Sequence, residues 1–286
     1  NVDEALNQMH QYIDENQYSD IFSTLQILVA MTPNNIKYMA NTTSDKFNKD
    51  FAFNWQRKED DFKCENKEDN NIVHNWKEFA DSMLSIPMAH QMATNYMILD
   101  GTKNKQTLKV MRPYQVYATQ NVIEKLKKVD FELGMNKVGY IWHTTGSGKT
   151  ITSFKTAWLA SRMPNIDKVV FVVDRIALTK QTNENYRAYD PDSSEDIIGS
   201  VQDTYNTTDL SRKLKSKDNN IIVTSIQKLD TLVKRKSFKA PDKNIVFIVD
   251  EAHRSTGGES FQKIQKAFKK SAWIGYTGTP MFDETT

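Results

Sequence analysis

The chain has 286 residues, of which 38% are hydrophobic and 26% charged, and its formal net charge at pH 7 is +2. Its single cysteine, Cys64, excludes an internal disulfide and is typical of an incidental thiol in a reducing cytosol. No apolar run approaches 18 residues, which excludes a membrane span, and the small net charge leaves any nucleic-acid contact to local patches. We therefore expect a cytoplasmic protein with one large or two medium-sized domains.

The part of the chain before residue 106 is polar and rich in asparagine. Apolar side chains recur on one side of a helix over residues 3–15. Two apolar runs, Ile27–Met31 and Ile36–Ala40, flank a Thr-Pro-Asn-Asn turn and predict a β-hairpin. The charged residues 56–71 predict an exposed loop. Helices are further expected near residues 73–85 and 88–98.

After residue 106, short apolar runs alternate with amphipathic stretches of helical length. The runs show little polar alternation, which is typical of parallel strands buried on both faces. The expected fold class is therefore α/β, with a parallel sheet flanked by helices. Predicted strands are Val138–Trp142, Lys168–Val173, Ile221–Thr224, Ile245–Val249 and Ala272–Tyr276, and predicted helices lie near 113–128, 149–162, 176–187, 225–235 and 259–270.

The segment His-Thr-Thr-Gly-Ser-Gly-Lys-Thr, residues 143–150, follows a predicted strand and opens a predicted helix. A phosphate-binding loop needs this context, because its glycines let backbone amides turn toward phosphate oxygens beside a helix N-terminus. Lys149 would reach the β- and γ-phosphates of ATP, and the Thr150 hydroxyl would bind Mg²⁺. His143 stands where the usual pattern has glycine, which leaves the first turn open to a different shape. The candidate ATP-binding residues here are Thr145, Gly146, Ser147, Gly148, Lys149 and Thr150.

A second motif, Asp-Glu-Ala-His at residues 250–253, follows the fourth predicted strand. Parallel sheets bind ligands at the carboxyl ends of their strands, so these carboxylates and the loop can reach one site. Asp250 would hold Mg²⁺, Glu251 would deprotonate the attacking water, and His253 completes the candidate catalytic set with Lys149. Singly, the first motif is open to interpretation as a plain turn and the second as a polar loop start. Their order argues against both alternatives.

Two weaker motifs belong to the same pattern. Thr277-Gly278-Thr279-Pro280 follows the last predicted strand, and the hydroxyls of Thr277 and Thr279 could sense the γ-phosphate. Arg112-Pro113-Tyr114-Gln115 precedes a predicted helix, and the Gln115 amide could pair with the adenine edge beside Arg112. Taken alone, the first is equally a plain turn and the second an ordinary helix start.

In chain order, Arg-Pro-Tyr-Gln, Gly-Ser-Gly-Lys-Thr, Asp-Glu-Ala-His and Thr-Gly-Thr-Pro, the four motifs resemble the first RecA-like motor domain of superfamily 2 helicases and translocases. Val173–Gln181 and Thr224–Leu229 resemble the motifs Ia and Ib of that family, which face the nucleic-acid backbone. The resemblance implies backbone contacts from five side chains, for each of which ordinary loop polarity is a competing interpretation. These candidate DNA-binding residues are Arg175, Lys180, Thr224, Ser225 and Gln227.

The residues around the motifs resemble more narrowly the R subunits of type I restriction enzymes, in which a histidine at the position of His143 is expected. Gln8 and Tyr12 lie one helical turn apart and resemble the QxxxY element that ends the nuclease domain of those subunits. The resemblance implies three regions. Residues 1–71 would complete a nuclease domain as a smaller α+β segment, residues 72–105 would form a helical linker, and residues 106–286 would form the RecA-like motor domain.

Other parts of the expected nuclease and motor are missing from the sequence. Asp61 and Glu65-Asn66-Lys67 offer the residue types of a nuclease metal site, but their charged surroundings predict a solvated loop. The chain also starts without an initiator methionine. We therefore expect an internal piece of a longer protein, with nuclease residues before it and a second motor domain after Thr286. Alone, it is expected to bind and hydrolyse ATP poorly.

The leading hypothesis is an ATP-driven translocase of double-stranded DNA that feeds an endonuclease, with ATP and Mg²⁺ as cofactors. The resemblance implies methylation (M) and specificity (S) subunits as partners, and the second motor domain as the other half of the ATP cleft. One alternative is another superfamily 2 protein, such as a strand-separating helicase or a remodelling ATPase. The other is a nucleotide-gated interaction module without hydrolysis.

Overall fold

A computed structural model of the chain describes residues 1–58, 71–101, 107–144, 146–174, 176–193, 199–218, 220–252 and 258–278. Its internal contacts divide it into two compact units, Asn1–Tyr117 and Ala118–Thr286. Most of the predicted charged loop lies outside the described residues, including Asp61 and residues 65–67. The domain boundaries expected near residues 71 and 105 stay predictions.

The first unit begins with a helix that packs on a hairpin. Helix α1 spans Val2–Asp14, and the Asn1 side chain caps it by accepting a hydrogen bond from the backbone amide of Asp3 at 3.1 Å. Strands β1 (Ile27–Thr32) and β2 (Asn35–Ala40) pair antiparallel around the predicted turn. Apolar side chains of the helix and the hairpin form one hydrophobic cluster. The predicted helix and hairpin are both confirmed.

The rest of the first unit holds a second antiparallel pair that the sequence pattern did not predict. Strand β3 (Met97–Asp100) pairs with β4 (Thr107–Val110). The helix expected over 88–98 is therefore too long, because pairing with β4 outweighs the weak helical tendency of its last residues. The helical elements here are α2 (Trp76–Phe79), a π-helical turn (Ala80–Leu84) and α3 (Met88–Thr94), with 3₁₀ turns at Asp20–Phe22, Ser44–Lys46 and Lys49–Phe51.

Six strands form the sheet of the second unit: β5 (Asn136–Trp142), β6 (Lys168–Val173), β7 (Val201–Asp203), β8 (Ile221–Ser225), β9 (Ile245–Asp250) and β10 (Ser271–Thr277). All pairs are parallel, and the strand order is β5-β10-β9-β6-β8-β7. Strands β6, β8 and β10 are buried along their whole length, which explains their apolar runs. Because the strands are parallel, their carboxyl ends meet at one edge of the sheet.

Helices connect these strands and confirm the predicted α/β fold, a RecA-like parallel sheet flanked by helices. The sequence pattern did not predict β7 and α7, because three residues are too few to show a strand period. No helix within the described residues is both long and apolar enough to cross a membrane. The helices are α4 (Pro113–Lys127), α5 (Lys149–Ala160), α6 (Ile176–Tyr189), α7 (Thr207–Lys215), α8 (Ile226–Val233) and α9 (Glu259–Ala267), with a 3₁₀ turn at Phe131–Leu133.

Aromatic side chains fix the last helix to the sheet. Phe247 of β9 and Trp273 of β10 stack with ring centroids 4.0 Å apart and planes 4° from parallel. Phe261 of α9 meets the Trp273 ring edge-on at 5.2 Å, and Phe268 lies 5.0 Å from Phe247. Such contacts add to the burial of large apolar area, so this cluster holds α9 against β9 and β10.

Gly275 of β10 occupies a position with no room for a side chain. A Cβ atom there would lie 2.3 Å from the Tyr140 ring and 2.8 Å from Cβ of Ala252. We expect Gly275→Ala to lower the free energy of unfolding by about 1–3 kcal/mol, because overpacking forces neighbouring groups to shift. Urea unfolding followed by circular dichroism measures this change.

Gly258→Ala is the matched control, because a Cβ at Gly258 meets nothing within 4 Å and the position is exposed. A Gly275→Ala variant as stable as this control would contradict the close approach of β5 and the Ala252 turn to β10.

Candidate nucleotide site and nucleic-acid surface

The phosphate loop joins the carboxyl end of β5 to the first turn of α5. Gly146 and Gly148 have φ angles of 81° and 85°, in the left-handed region that favours glycine. A Cβ at Gly146 would meet nothing within 4 Å, so glycine is needed there for its backbone conformation and not for space. The loop leads directly into α5, whose first residue is Lys149, and a helix N-terminus favours an anion placed beside it.

His143, the unusual residue of the loop, ties the loop together. Its Nδ1 lies 3.0 Å from Oγ of Ser147, whose hydroxyl in turn donates to the backbone carbonyl of Thr144 at 2.7 Å. Since the serine proton is used in that second bond, Nδ1 of His143 carries the hydrogen of the neutral ring. The ring also lies nearly parallel to that of Tyr276, with centroids 6.2 Å apart. A hydrogen bond from the His143 side chain therefore closes this loop, at the position where the usual phosphate-loop pattern has glycine.

The ring of His143 stays neutral at physiological pH. The residue is buried, and this burial, with the nearby charge of Lys149, lowers its pKa from 6.5 to about 4. A neutral ring can keep a fixed tautomer and therefore a fixed hydrogen bond to Ser147.

The two acidic residues of the second motif lie beside the loop lysine. Strand β9 ends at Asp250, and Nζ of Lys149 lies 3.0 Å from its Oδ1. The same ammonium donates a hydrogen bond to Oε1 of Glu251. Burial alone would lower the pKa of Lys149, but the two carboxylates more than offset it and raise that pKa. The lysine is therefore a fixed cation shared by two anions.

Glu251 is held in an uncommon backbone conformation. Its φ angle is 49°, which places a residue with a Cβ in the left-handed region. Its backbone amide donates to Oδ1 of Asp250 at 3.0 Å, which satisfies the amide where the strand turns away. This turn aims both carboxylates at Lys149.

The oxygen atoms at this edge suit a magnesium–nucleotide complex. Thr150 offers a hydroxyl and Asp250 a carboxylate, and hard oxygen ligands are what Mg²⁺ prefers. Magnesium usually takes only one or two protein ligands and completes its shell with waters and phosphates. Within the described ranges no cluster of three or more His, Cys, Asp or Glu side chains could hold a metal by itself.

The third motif also reaches the loop. The backbone carbonyl of Thr277, at the end of β10, accepts from the amide of His143 at 2.9 Å. The indole Nε1 of Trp142 donates to the carbonyl of Gly278 at 3.2 Å. Thr277 itself is buried. Four predicted site residues, Thr145, Arg175, His253 and Thr279, lie outside the described residues.

Arg112 and Gln115 belong to the first unit, at the start of α4. The Gln115 side chain is buried, and its carbonyl oxygen accepts from the backbone amide of Arg112 at 2.9 Å. The Arg112 guanidinium lies 4.6 Å from the centroid of the Phe53 ring. These contacts fix the start of α4. The adenine contact of Gln115 stays a prediction.

The candidate DNA-binding residues divide into exposed and buried pairs. Lys180 is exposed, 3.9 Å from Glu184, and the Gln227 amide donates to the carbonyl of Asp174 at 2.7 Å. Thr224 and Ser225 are fully buried. Their hydroxyls serve the fold, since Thr224 accepts from Thr204 at 3.1 Å and Ser225 caps α8 through the amide of Lys228 at 3.3 Å. Among the four candidates that the structure describes, the exposed groups for a backbone contact therefore come from Lys180 and Gln227.

Sequence reasoning missed a basic surface beside these residues, formed by the first turn of α7 and the end of α8. The guanidinium of Arg235 bonds to the hydroxyls of Thr207 and Thr208, the latter at 3.3 Å. The Tyr205 ring is 80% exposed, with Nζ of Lys213 5.5 Å from its centroid. We call Tyr205, Thr207, Thr208 and Arg235 the α7–α8 surface. The run Lys234-Arg235-Lys236 and the basic residues from 212 to 217 were the available signal.

Comparison with known proteins identifies the family of this chain. The model of the family SWI2/SNF2 ATPase matches residues 114–286. The C-terminal part of a type I restriction enzyme endonuclease subunit from Mycoplasma pneumoniae is 39% identical over 210 residues, which cover 70% of this chain and 97% of that protein. The chain belongs to the endonuclease subunits of type I restriction enzymes.

Longer relatives set the scale of the complete subunit. An endonuclease subunit of a type I restriction enzyme from Staphylococcus aureus is 34% identical over 288 residues, covering all of this chain and 28% of that protein. This chain therefore spans about a quarter of such a restriction subunit. A solved nuclease-deletion mutant of the Type ISP restriction-modification enzyme LlaGI with a DNA substrate mimic is 21% identical, with a TM-score of 0.42, over 61% of this chain and 18% of that one.

The predicted QxxxY element, Gln8 and Tyr12, lies on α1 in the first unit. The Gln8 amide donates to the Tyr12 hydroxyl at 2.6 Å, so the two side chains share one face as predicted from their spacing. Tyr12 also meets the Tyr18 ring edge-on at 6.3 Å. The role of this pair in a nuclease domain stays a prediction.

The depressed pKa of His143 makes the stability of this restriction-subunit chain depend on pH. Between pH 6.5 and about 4 the unfolded chain binds the histidine proton and the folded chain does not. Stability is therefore lost as the pH falls through this window. Because of this residue, we expect the free energy of unfolding to fall by about 2 kcal/mol when the pH is lowered from 7.5 to 5.

Urea unfolding of the wild type and of His143→Asn at both pH values isolates this contribution. The variant should lose less stability than the wild type on going to pH 5. Equal losses in the two proteins would show that the histidine ring is accessible to protons in the folded state.

Proposed function

We propose that this chain is the ATP-binding half of a motor that translocates double-stranded DNA and feeds the nuclease of a type I restriction enzyme. The observation that carries the proposal is the Lys149 ammonium held between Asp250 and Glu251 at the end of the phosphate loop. The family membership supports an ATPase, and the geometry supports the assignment of these three side chains to its chemistry.

The charges of the site favour an exchange of partners on nucleotide binding. Lys149 pairs with both the Asp250 and the Glu251 carboxylate, so a phosphate that binds the ammonium competes with two anions for it. ATP phosphates would take backbone amides of the loop and the Lys149 ammonium as partners. Mg²⁺, held by Thr150 and Asp250, would neutralise phosphate charge and polarise the γ-phosphoryl group.

This exchange gives Glu251 its role. While Lys149 donates to the carboxylate, the carboxylate is a poor base, because the ammonium stabilises its charged form. Once Lys149 pairs with phosphate, Glu251 would be able to accept a proton from the attacking water. Nucleotide binding would thereby activate the base only when phosphate is in place.

DNA contacts at the same sheet edge would couple this chemistry to movement. Lys180, Gln227 and the α7–α8 surface present exposed cations, amides and hydroxyls, which are groups that bind phosphates without reading bases. A motor that follows the backbone needs its sequence choice from elsewhere, and we assign that to S and M subunits. The second motor domain would close the ATP cleft, since relatives are much longer than this chain.

The base assignment predicts the behaviour of one conservative variant. Glu251→Gln in the complete subunit should keep ATP affinity within about threefold and lower DNA-stimulated hydrolysis by about 10²–10⁴, because the amide cannot take a proton. Lys149→Ala should instead abolish ATP binding. Steady-state phosphate release and equilibrium binding of a non-hydrolysable ATP analogue separate the two effects.

Glu259→Gln is the control for this pair, because Glu259 is an exposed carboxylate at the start of α9. Normal hydrolysis by Glu251→Gln would rule out this residue as the base. ATP binding without hydrolysis by the wild-type subunit, even with DNA and partner subunits present, would favour a nucleotide-gated interaction module.

The α7–α8 surface predicts a loss of salt-sensitive DNA binding. Arg235→Ala should weaken binding of duplex DNA and reduce the slope of log affinity against log salt by about one, because one phosphate contact is lost. ATP hydrolysis without DNA should stay at the wild-type rate. Fluorescence anisotropy with a labelled duplex at several salt concentrations measures the slope.

Lys266→Ala removes an exposed cation of α9 and serves as the control. Equal slopes for the Arg235 and Lys266 variants would remove the α7–α8 surface from the DNA path. Equal stimulation of ATP hydrolysis by single strands and duplex would favour a strand-separating helicase over a duplex translocase.

A further inference from the structure

Asn183 of α6 is a buried polar residue that the fold does not use. It is only 6% exposed, and its side-chain oxygen Oδ1 has no hydrogen-bond partner within the described part of the chain. A buried amide without such a bond is costly, and most buried polar groups in native proteins are paired. A residue that costs stability in the free protein invites a search for a ligand that satisfies it.

The neighbouring contacts locate Asn183 along its helix. Tyr186, three residues further on α6, donates its hydroxyl to Oγ of Ser153 on α5 at 2.8 Å. Ser153 in turn lies three residues after Thr150. Asn183 precedes Tyr186, and Thr150 precedes Ser153, by the same three residues, or about 4.5 Å of helix. Because α5 and α6 both follow strands of one parallel sheet, one turn back along each helix from the Tyr186–Ser153 bond leads toward the carboxyl edge, to Asn183 and to Thr150.

The strand order locates the same residue across the sheet. Strand β6, which precedes α6, is the direct neighbour of β9, and β9 ends at Asp250. Burial raises the pKa of Tyr186, and the Asp250 carboxylate raises it further, so that carboxylate lies within electrostatic reach of the buried side of α6. Asn183 precedes Tyr186 by one turn on that side, toward the edge where Asp250 lies.

We propose that Asn183 is a positioning residue of the magnesium–nucleotide site, a role that rests on the function proposed above. Its carbonyl oxygen would accept a hydrogen bond from the Thr150 hydroxyl or from a metal-bound water once Mg²⁺ and nucleotide are present. Thr150 and Asp250 leave most of the metal shell to waters and phosphates, and acceptors behind such ligands orient them. The unpaired oxygen of the free chain is then an acceptor kept for the loaded site.

Asn183→Leu tests this role, because leucine has a similar volume and no polar atoms. The melting temperature of the unliganded chain should rise by about 2–6 °C, since an unsatisfied buried amide is removed. The gain in ADP affinity that Mg²⁺ provides should fall by about tenfold or more, while ADP binding without Mg²⁺ stays unchanged. Calorimetric titration of ADP with and without Mg²⁺ measures this gain.

Two further variants separate the role from a structural one. Asn183→Asp keeps an acceptor oxygen at the same place and should keep the magnesium gain, even if the added charge lowers the melting temperature. Asn185→Leu makes the same chemical change two positions further on α6 and should leave the gain unchanged.

The outcomes that overturn the proposal differ from those that overturn the nucleotide site. If Asn183→Leu keeps the wild-type magnesium gain and melts at a lower temperature than the wild type, Asn183 is a structural residue only. These titrations use the complete subunit, and a complete wild-type subunit that binds no ADP at any concentration tested overturns both the nucleotide site and this role of Asn183.

Discussion

The ion cluster of Lys149, Asp250 and Glu251 is the contact on which the candidate site depends. It joins the start of α5 to the end of β9 across 101 positions of sequence, and it does so with one ammonium for two carboxylates. Removing the lysine would leave two anions facing each other in a partly buried place, which is costly. The same cluster therefore fixes the position of the loop lysine relative to both carboxylates.

Much of the motor fold follows from patterns that depend on a few neighbouring residues. The five predicted strands of the sheet and their helices are present within a few residues of the expected ends, because a strand buried on both faces is a continuous apolar run in the sequence. Strand β7 and the pair of β3 with β4 were not predicted, because strands of three or four residues are too short to show a period in the sequence.

The site shows a division between local and distant causes. The glycines and Lys149 are local, because a loop of that conformation needs them at fixed spacing. The neutral state of His143, the unpaired oxygen of Asn183 and the burial of Thr224 all arise from residues packed around them in the fold. No spacing in the sequence distinguishes a threonine that faces DNA from one that bonds to a neighbouring strand.

The two outer strands of the sheet differ from the inner ones in a way that affects solubility. Strand β7 has only three residues, and the pairing of β5 with β10 shifts register beside Trp273. Long, regular outer strands offer rows of amide groups to which another chain can add, and this is a common route to aggregation. The three-residue β7 leaves little of such a row, and the register shift interrupts the seven-residue β5, so both outer strands are poor templates for an intermolecular sheet.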